Sequence, residues 1–504
     1  MQDIIKSKFL YLSEESKKIL NIASLFFDEV PLKLLKDITG HDELELMDII
    51  EELENKFILT ETQNEDSISF KFTHQKLREF IYMKQSDGRK KLLHAKIGSI
   101  LEQSIKNDKI NIDIYHKLIY HYTNADNKSK ALIYKIKILN YYLNFSHELF
   151  PILNQADMDA YRYENFSKQQ TLSHFKDIEN TLKQVRKKGG NSEEIIKLEI
   201  SFLHMKGRYL IRDGDYEQGI KLIQDMITQS LDVEDRDYTI EGYKQMIFYC
   251  IQTNQPDIML KYIELALNLA VECNYHKETG IILRLKGLYK IMCQEYEEAE
   301  KLLNESINTF KITKQVANKY ALNIAAAYNY IGEIRRFNME FDEAVYYYEQ
   351  AIKICESKSA FISLAIFNIN AGQATFDMGD YQKSTEYFEK ALNLYSKLDS
   401  IWRKSIAEAF MALILNNEEN YSEALKYLKN ADTHSQKIKN PHEIGVVFRV
   451  KAQIRADMLK NKNLNKVYSK YLDNDLEYYC AESIKYLTTA GDKYEINVIT
   501  NIMK

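Results

Sequence analysis

GEIRRFNMEFDEAVYYYEQA, from Gly332 to Ala351, is the stretch whose reading decides the fold. A small residue, Gly332, is followed nine positions on by an aromatic, Phe341, and then by Ala344, Tyr348 and Ala351. Steps of four and three put those last three residues on one face of a helix. The small anchor in the preceding helix lets the two helices approach closely. The same pattern recurs as Gly207 with Tyr216, Gly287 with Tyr296, Gly372 with Tyr381, and Ala412 with Tyr421. The anchors are 80, 45, 40 and 40 residues apart, and Ile247 with Met259 forms a degenerate copy that divides the long interval. A fixed period of about 40 residues marks a stacked array of one supersecondary unit. A single helical hairpin cannot bury its face alone, so the copies must stack into a superhelix.

Composition points the same way. Four Pro and 16 Gly in 504 residues leave little for a sheet-rich fold, so the chain reads as all-α. The five cysteines, Cys250, Cys273, Cys293, Cys355 and Cys480, are dispersed without a CxxC and read as small core residues in a reducing compartment. The start lacks a secretory pattern, and no apolar run reaches the ~18 residues that would span a membrane. A cytoplasmic location without membrane partners is expected.

The anchors, the aromatic that opens each second helix and the small-large-small face resemble tetratricopeptide repeats. The resemblance covers roughly Ser201 to Ala431, with a period near 40 rather than the usual ~34 and without the closing proline in most copies. It implies a right-handed superhelical solenoid. After Ala452 the pattern loosens: Asn461–Asp475 reads as an insertion and Ala481–Thr489 as a worn capping helix.

The first ninety residues differ. Ser13 opens an amphipathic helix to about Phe27, Pro31 starts a short helix that Gly40 ends, and a third helix runs from about Asp42 to Asn55. Two strands come next, Phe57–Thr62 and Ile68–Phe72, then a helix from about Thr73. Three helices and a hairpin is the order of a winged helix. The segment FKFTHQKLREFIY (Phe70–Tyr82) resembles the winged-helix module located after the nucleotide-binding domain of signal-transduction ATPases with numerous domains. Arg89–Glu102 resembles that family's linker helix, and Tyr120–Leu139 its first, poorly formed repeat. The domain organisation expected is 1–88 winged helix, 89–190 helical linker with degenerate repeat, and 191–504 solenoid with a C-terminal cap.

No GxxxxGK[ST] occurs, so the chain lacks a phosphate-cradling loop. With the sequence starting at Met1, no ATPase domain is expected ahead of the winged helix. The expectation is the regulatory half of such a protein, either standing alone or as part of a split or longer reading frame. The helix that would enter a DNA groove carries Asp42, Glu43, Glu45, Asp48, Glu51, Glu52 and Glu54 and no Lys or Arg. Phosphate neutralisation needs basic groups, so DNA binding by this module is not expected, and a hinge or protein-contact role is. His116 and His121 are misaligned as a metal pair, His74 reads as a helix-start residue, and no hydrolase or metalloprotease motif appears. No cofactor, metal or catalytic residue is expected.

In a repeat superhelix the first helix of each unit lines the concave side. The inward positions are His204, Arg208, Arg212, Lys244, Arg284, Asn329, Glu333, Arg336 and Gln373. Solvation and ligand contact account for them equally well. Arg and Asn can pin the backbone and carboxylate of an extended peptide, and a row running through Arg208, Arg284 and Arg336 would favour an acidic segment. Three functions are compatible with these residues. One is a non-enzymatic sensor or scaffold of the signal-transduction ATPase type that binds a protein or peptide and works with a separate ATPase or effector subunit. The second is a peptide-pheromone-responsive repeat regulator, and the third an enzyme with an unrecognised site.

Overall fold

The computed structural model describes residues 12–64, 67–105, 112–147, 167–189, 192–398 and 400–504. Contact density divides the chain into two compact units, residues 1–139 with 168–198 and residues 140–167 with 199–504.

In the first unit, α1 (Glu14–Ala23) is capped by Ser13, whose hydroxyl accepts from Ser16 N at 3.0 Å. It is followed by β1 (Val30–Pro31), α2 (Leu32–Thr39), α3 (Glu43–Asn55), β2 (Leu59–Asn64) and β3 (Ser67–Phe72). Gly40 ends α2 at φ +81°, in the left-handed region where glycine carries no steric penalty. Asp42 and Glu45 form a reciprocal capping box on α3. The strands form an antiparallel sheet in the order β1-β3-β2. The two-residue strand at Pro31 is too short for sequence periodicity to reveal. Leu20, Leu35, Leu46, Ile50, Leu53 and Ile81 are fully buried in one core.

α4 (Gln75–Lys84) and α5 (Asp87–Gln103) pack onto this module. Arg78 is buried, with Nη1 donating to the carbonyls of Ser24 at 3.0 Å and Phe26 at 3.4 Å beyond the end of α1. The Arg of the His-x-x-Leu-Arg-Glu segment therefore satisfies backbone acceptors. His74 is exposed at the start of α4 and makes no side-chain cap bond. The residues Tyr120–Leu139 span parts of two helices, α6 (Ile112–Asn124) and α7 (Lys128–His147). The last helix to begin in this unit before the array is α8 (Lys168–Gly189).

His94 on α5 and His121 on α6 meet Nδ1 to Nδ1 at 2.9 Å, and both are buried. Burial lowers both, His94 to about 4 and His121 to about 3. One ring must donate and the other accept, so the pair is neutral at pH 7. A histidine depressed in the folded state contributes stability above its unfolded value, near 6.5, and loses it as pH falls towards the folded values. Acidification from pH 7 to pH 4 is expected to weaken this helix pair by about 3–5 kcal/mol. Amide exchange in α5 and α6, corrected for intrinsic rates, should accelerate over that range. Equal protection at pH 7 and pH 4.5 would contradict the neutral pair.

The second unit consists of helical hairpins. Their helices are α9 (Glu193–Asp213) with α10 (Tyr216–Asp232), α11 (Arg236–Thr253) with α12 (Pro256–Glu272), and α13 (His276–Met292) with α14 (Tyr296–Phe310). After the short α15 (Lys314–Lys319) come α16 (Ala321–Phe337) with α17 (Phe341–Ser357), α18 (Phe361–Asp377) with α19 (Tyr381–Tyr395), and α20 (Lys404–Asn417) with α21 (Tyr421–Ile438). A seventh hairpin joins α22 (Pro441–Lys460) to α24 (Leu476–Ala490). The stretch read as an insertion holds α23 (Lys462–Tyr468), and a further helix, α25 (Lys493–Ile502), lies beyond the hairpin. That last helix carries no repeat signature, so no periodicity marks it in the sequence. No strand occurs beyond Phe72 among the described residues.

The anchors do what their size suggests. A Cβ on Gly332 would lie 2.7 Å from the Tyr348 ring and 3.2 Å from the Ala344 carbonyl oxygen, and one on Gly372 would lie 2.8 Å from the Phe388 ring. The turns are as periodic as the anchors. Gly214, Asn254, Gln294, Met339, Gly379 and Glu419, each two residues before the second helix of a hairpin, all have positive φ. The next residue donates its N–H back to a carbonyl five earlier, as in Glu340 N to Arg335 O at 2.8 Å and Asp380 N to Thr375 O at 3.0 Å. This is the closing bond of a Schellman turn. Met339 is exposed and has φ +63°. Its side chain strains the left-handed backbone, so Met339→Gly is expected to stabilise the array by about 0.5–1 kcal/mol after the entropy cost of glycine. A denaturation midpoint that falls instead would place the strain elsewhere.

Candidate functional site: the inner wall of the array

The second unit closes on itself. Tyr216 Oη donates to Ile438 O at 2.8 Å, Asn440 Nδ2 to Gln252 O at 2.6 Å, Asn254 Nδ2 to Thr489 O at 2.7 Å and Gln294 Nε2 to Gly491 O at 3.1 Å. Arg336 pairs with Glu495 at 2.7 Å, and Phe341 meets the Tyr494 ring at 5.6 Å. From the Tyr216–Ile438 bond to the Arg336–Glu495 pair, residues rise in the same order on both sides of this seam. The segment 438–495 therefore crosses the turns of the first four hairpins in succession.

Much of the inward row is buried. Arg208, Lys244, Arg284, Asn329, Arg336 and Gln373 are all buried, while His204, Arg212 and Glu333 are partly so. His204 packs its ring 5.8 Å from that of Tyr238, and burial lowers it to about 3. Arg212 lies 5.9 Å from the Tyr209 ring. Lys244 bridges Glu241 at 2.5 Å and Glu278 at 2.9 Å. Arg284 donates to Asn323 at 3.4 Å beside the Tyr330 ring. Asn329 accepts from Asn370 at 2.8 Å.

The remaining three, Glu333, Arg336 and Gln373, line one cavity of about 130 Å³. Arg336 Nε donates to Asp377 at 3.0 Å, and Glu495 accepts from Arg336 at 2.7 Å and from Arg449 at 2.8 Å. Burial pushes Glu495 up, but the guanidinium groups of Arg449 and Arg336 outweigh it and hold this carboxyl below its ordinary value. Asp377 goes the other way, to about 6, because its burial outweighs Arg336. Asp492 caps α25 through the N–H of Glu495 at 3.0 Å and holds His442 at 3.0 Å.

On the facing side, Glu333 accepts from Asn370 at 3.1 Å and lies 3.6 Å from Arg403. Glu443 accepts from the Arg403 N–H at 2.9 Å and from the Ser405 hydroxyl. Burial raises both Glu333 and Glu443. Three guanidinium groups (Arg336, Arg403, Arg449) thus face five carboxyls (Glu333, Asp377, Glu443, Asp492, Glu495), with the His442 ring beside Asp492. Within the inward row, Arg336 is matched by the carboxylates Asp377 and Glu495, which the inward-position rule does not select.

Four buried polar atoms in the cavity lining, Tyr348 Oη, Asn370 Oδ1, Gln373 Nε2 and Arg403 Nε, have no hydrogen-bond partner among the described residues. Leu288, Ile291 and Met292 supply an apolar part of the wall. The inward-position rule misses Asn370, because that residue lies two before the anchor Gly372. It also misses Arg403, Glu443 and Glu495, because they come from the closing segment and a linker. Trp402, the single tryptophan, also lines the cavity, and its rarity is the one mark the sequence gives it.

No group of three or more His, Cys, Asp or Glu side chains that could hold a metal occurs among the described residues. Nor is any helix among them long and apolar enough to cross a membrane.

Residues 366–398 match the tetratricopeptide repeat family. No curated protein matches the sequence. Among solved structures, the chain is similar to the Signal Transduction ATPase with Numerous Domains (STAND) protein with a tetratricopeptide repeat sensor from Pyrococcus horikoshii. The TM-score is 0.51 at 16% identity, over 97% of this chain and 66% of that one. The chain therefore spans just under two thirds of that relative's length, and the likeness is one of fold. Weaker matches include aspartyl phosphate phosphatase F from Bacillus subtilis, at TM-score 0.44 and 16% identity over 78% of this chain and 94% of that one. The quorum sensor NprR from B. thuringiensis matches at TM-score 0.39 and 15% identity, over 69% and 98%.

Proposed function

We propose that the chain is a non-enzymatic sensor that binds a peptide or an extended protein segment on the inner wall of its repeat array, as the regulatory half of a STAND-type regulator. The observation that carries this reading is the polar cavity at the closure of the array. Burying charged and polar side chains there, with hydrogen-bonding atoms left over, costs stability that a purely structural interior would avoid. Repeat solenoids also act through their concave surfaces. The first unit, read as a winged helix with an acidic third helix, serves as a contact or hinge to an ATPase or effector, without binding DNA.

Thermal unfolding of the purified chain against pools of synthetic short peptides tests the reading. A subset of peptides is expected to raise the unfolding temperature in a concentration-dependent way, and no response at millimolar concentrations would count against it. Calorimetry with ATP and magnesium is expected to be flat, since no phosphate-binding loop is present. A micromolar isotherm would place a nucleotide site on this chain.

A further inference from the structure

We propose that the cavity at the closure of the array receives a primary α-ammonium group next to a carbonyl, with an apolar side chain: the free amino terminus of a peptide. The inference rests on the sensor reading above and specifies which part of the ligand is read.

Three observations lead to it. The first is charge. The cluster around the cavity has two more carboxyls than guanidinium groups; Glu333 pairs with the Arg403 guanidinium only at 3.6 Å, and Glu443 takes the Arg403 backbone N–H rather than its charged head. A buried surplus of carboxyls is relieved by protons or by a cation, and an acidic ligand would add to it.

The second is the set of unused hydrogen-bonding atoms. Asn370 Oδ1 is an acceptor, Arg403 Nε and Gln373 Nε2 are donors, and Tyr348 Oη can act as either. Asn370, Gln373 and Tyr348 are each at least 99% buried. The same Asn370 donates through Nδ2 to Asn329 and Glu333, and the same Gln373 accepts through Oε1 from Arg403. Both amides are thereby held with their free ends unmatched. A ligand that satisfies them must donate on one side and accept on the other. An ammonium donating to Asn370 Oδ1 and the Glu333 carboxylate, with its neighbouring carbonyl accepting from Gln373 Nε2 and Arg403 Nε, does both.

The third is size and lining. A cavity of about 150 Å³ accommodates a molecule the size of benzene, so the 130 Å³ here suits one residue rather than a folded segment. Leu288, Ile291 and Met292 complete the site with an apolar surface for that residue's side chain.

A free amino acid presents the same ammonium and carbonyl as a peptide terminus, and the two sources differ in the group bonded to the carbonyl carbon, an oxygen in one and an amide nitrogen in the other. Calorimetric titration of the full chain with Leu-Gly-Gly, its N-acetyl derivative and L-leucine separates them. The expected result is binding of Leu-Gly-Gly, weaker by roughly tenfold to a hundredfold after N-acetylation, the loss of a charge-assisted contact. Binding of L-leucine that exceeds that of the tripeptide would overturn the peptide source.

Tyr348→Phe removes only the hydroxyl, and Glu333→Gln keeps the shape of its side chain. Each should weaken the tripeptide at least severalfold, with the unfolding temperature of the unliganded variant measured alongside. Equal affinity for the free and acetylated tripeptide, or no effect of either substitution, would overturn the assignment. So would peptides from the pools that bind while Leu-Gly-Gly does not, and that result would leave the sensor reading standing.

Discussion

Replacing Glu495 by Ala is expected to destabilise the array by about 3–5 kcal/mol, the cost of breaking a buried ion pair from one side. Glu495 is fully buried and, among the described residues, is the carboxylate bonded to both Arg336 and Arg449, at 2.7 and 2.8 Å. Without it, Arg449 has no remaining carboxylate in hydrogen-bond contact among those residues, and Arg336 retains Asp377, whose charged form is already disfavoured by burial. The helix Lys493–Ile502 would lose its hold on α16 and α22 and become accessible to protease. Equilibrium denaturation of wild type and variant measures the loss. A change below about 1 kcal/mol would mean that the charges are wet and the seam is held otherwise.

The second large effect concerns the repeat itself. Phe388→Ala is expected to cost about 3–5 kcal/mol, from the lost transfer energy and the cavity left behind. The Phe388 ring is fully buried, stacks on Phe410 at 5.4 Å and fills the space that Gly372 leaves by having no side chain. The Ser384 hydroxyl fixes the same crossing by donating to the Gly372 carbonyl at 2.8 Å. A loss confined to about 1 kcal/mol would show that neighbouring helices collapse into the gap.

These two residues mark how far the sequence could be read. Phe388 was legible, because Gly372, Ser384, Phe388 and Ala391 repeat a spacing found in other copies, and a local period dictates local packing. The order of helices and hairpin at the N-terminus was legible for the same reason, with strand ends shifted by one or two residues. Glu495 was not legible. Its partners Arg336 and Arg449 lie 159 and 46 residues away, and their pairing depends on the accumulated curvature of the array, which no local pattern encodes.

The inward positions Glu333, Arg336 and Gln373 came out of the anchor spacing and line the cavity, yet the sign of their surroundings did not. The arginines stood out along the inner row, while the carboxylates Asp492 and Glu495 sit at a helix that carries no repeat signature. Asn370 and Arg403 were hidden for a plainer reason. One lies outside the inward-position rule, and the other precedes α20 in an irregular stretch.

The cavity and the seam share residues: Arg336 lines the one and anchors the other, and Asn440, His442 and Gly491 lie in both. A ligand in the cavity must therefore bias the closing segment, which is how such an array would signal binding. Amide hydrogen exchange of the helices Phe361–Asp377 and Lys493–Ile502, with and without saturating Leu-Gly-Gly, tests this most directly. Exchange is expected to slow in both helices when the peptide is bound. Exchange unchanged in both, at concentrations where any site of useful affinity would be filled, would contradict the coupling of cavity and seam.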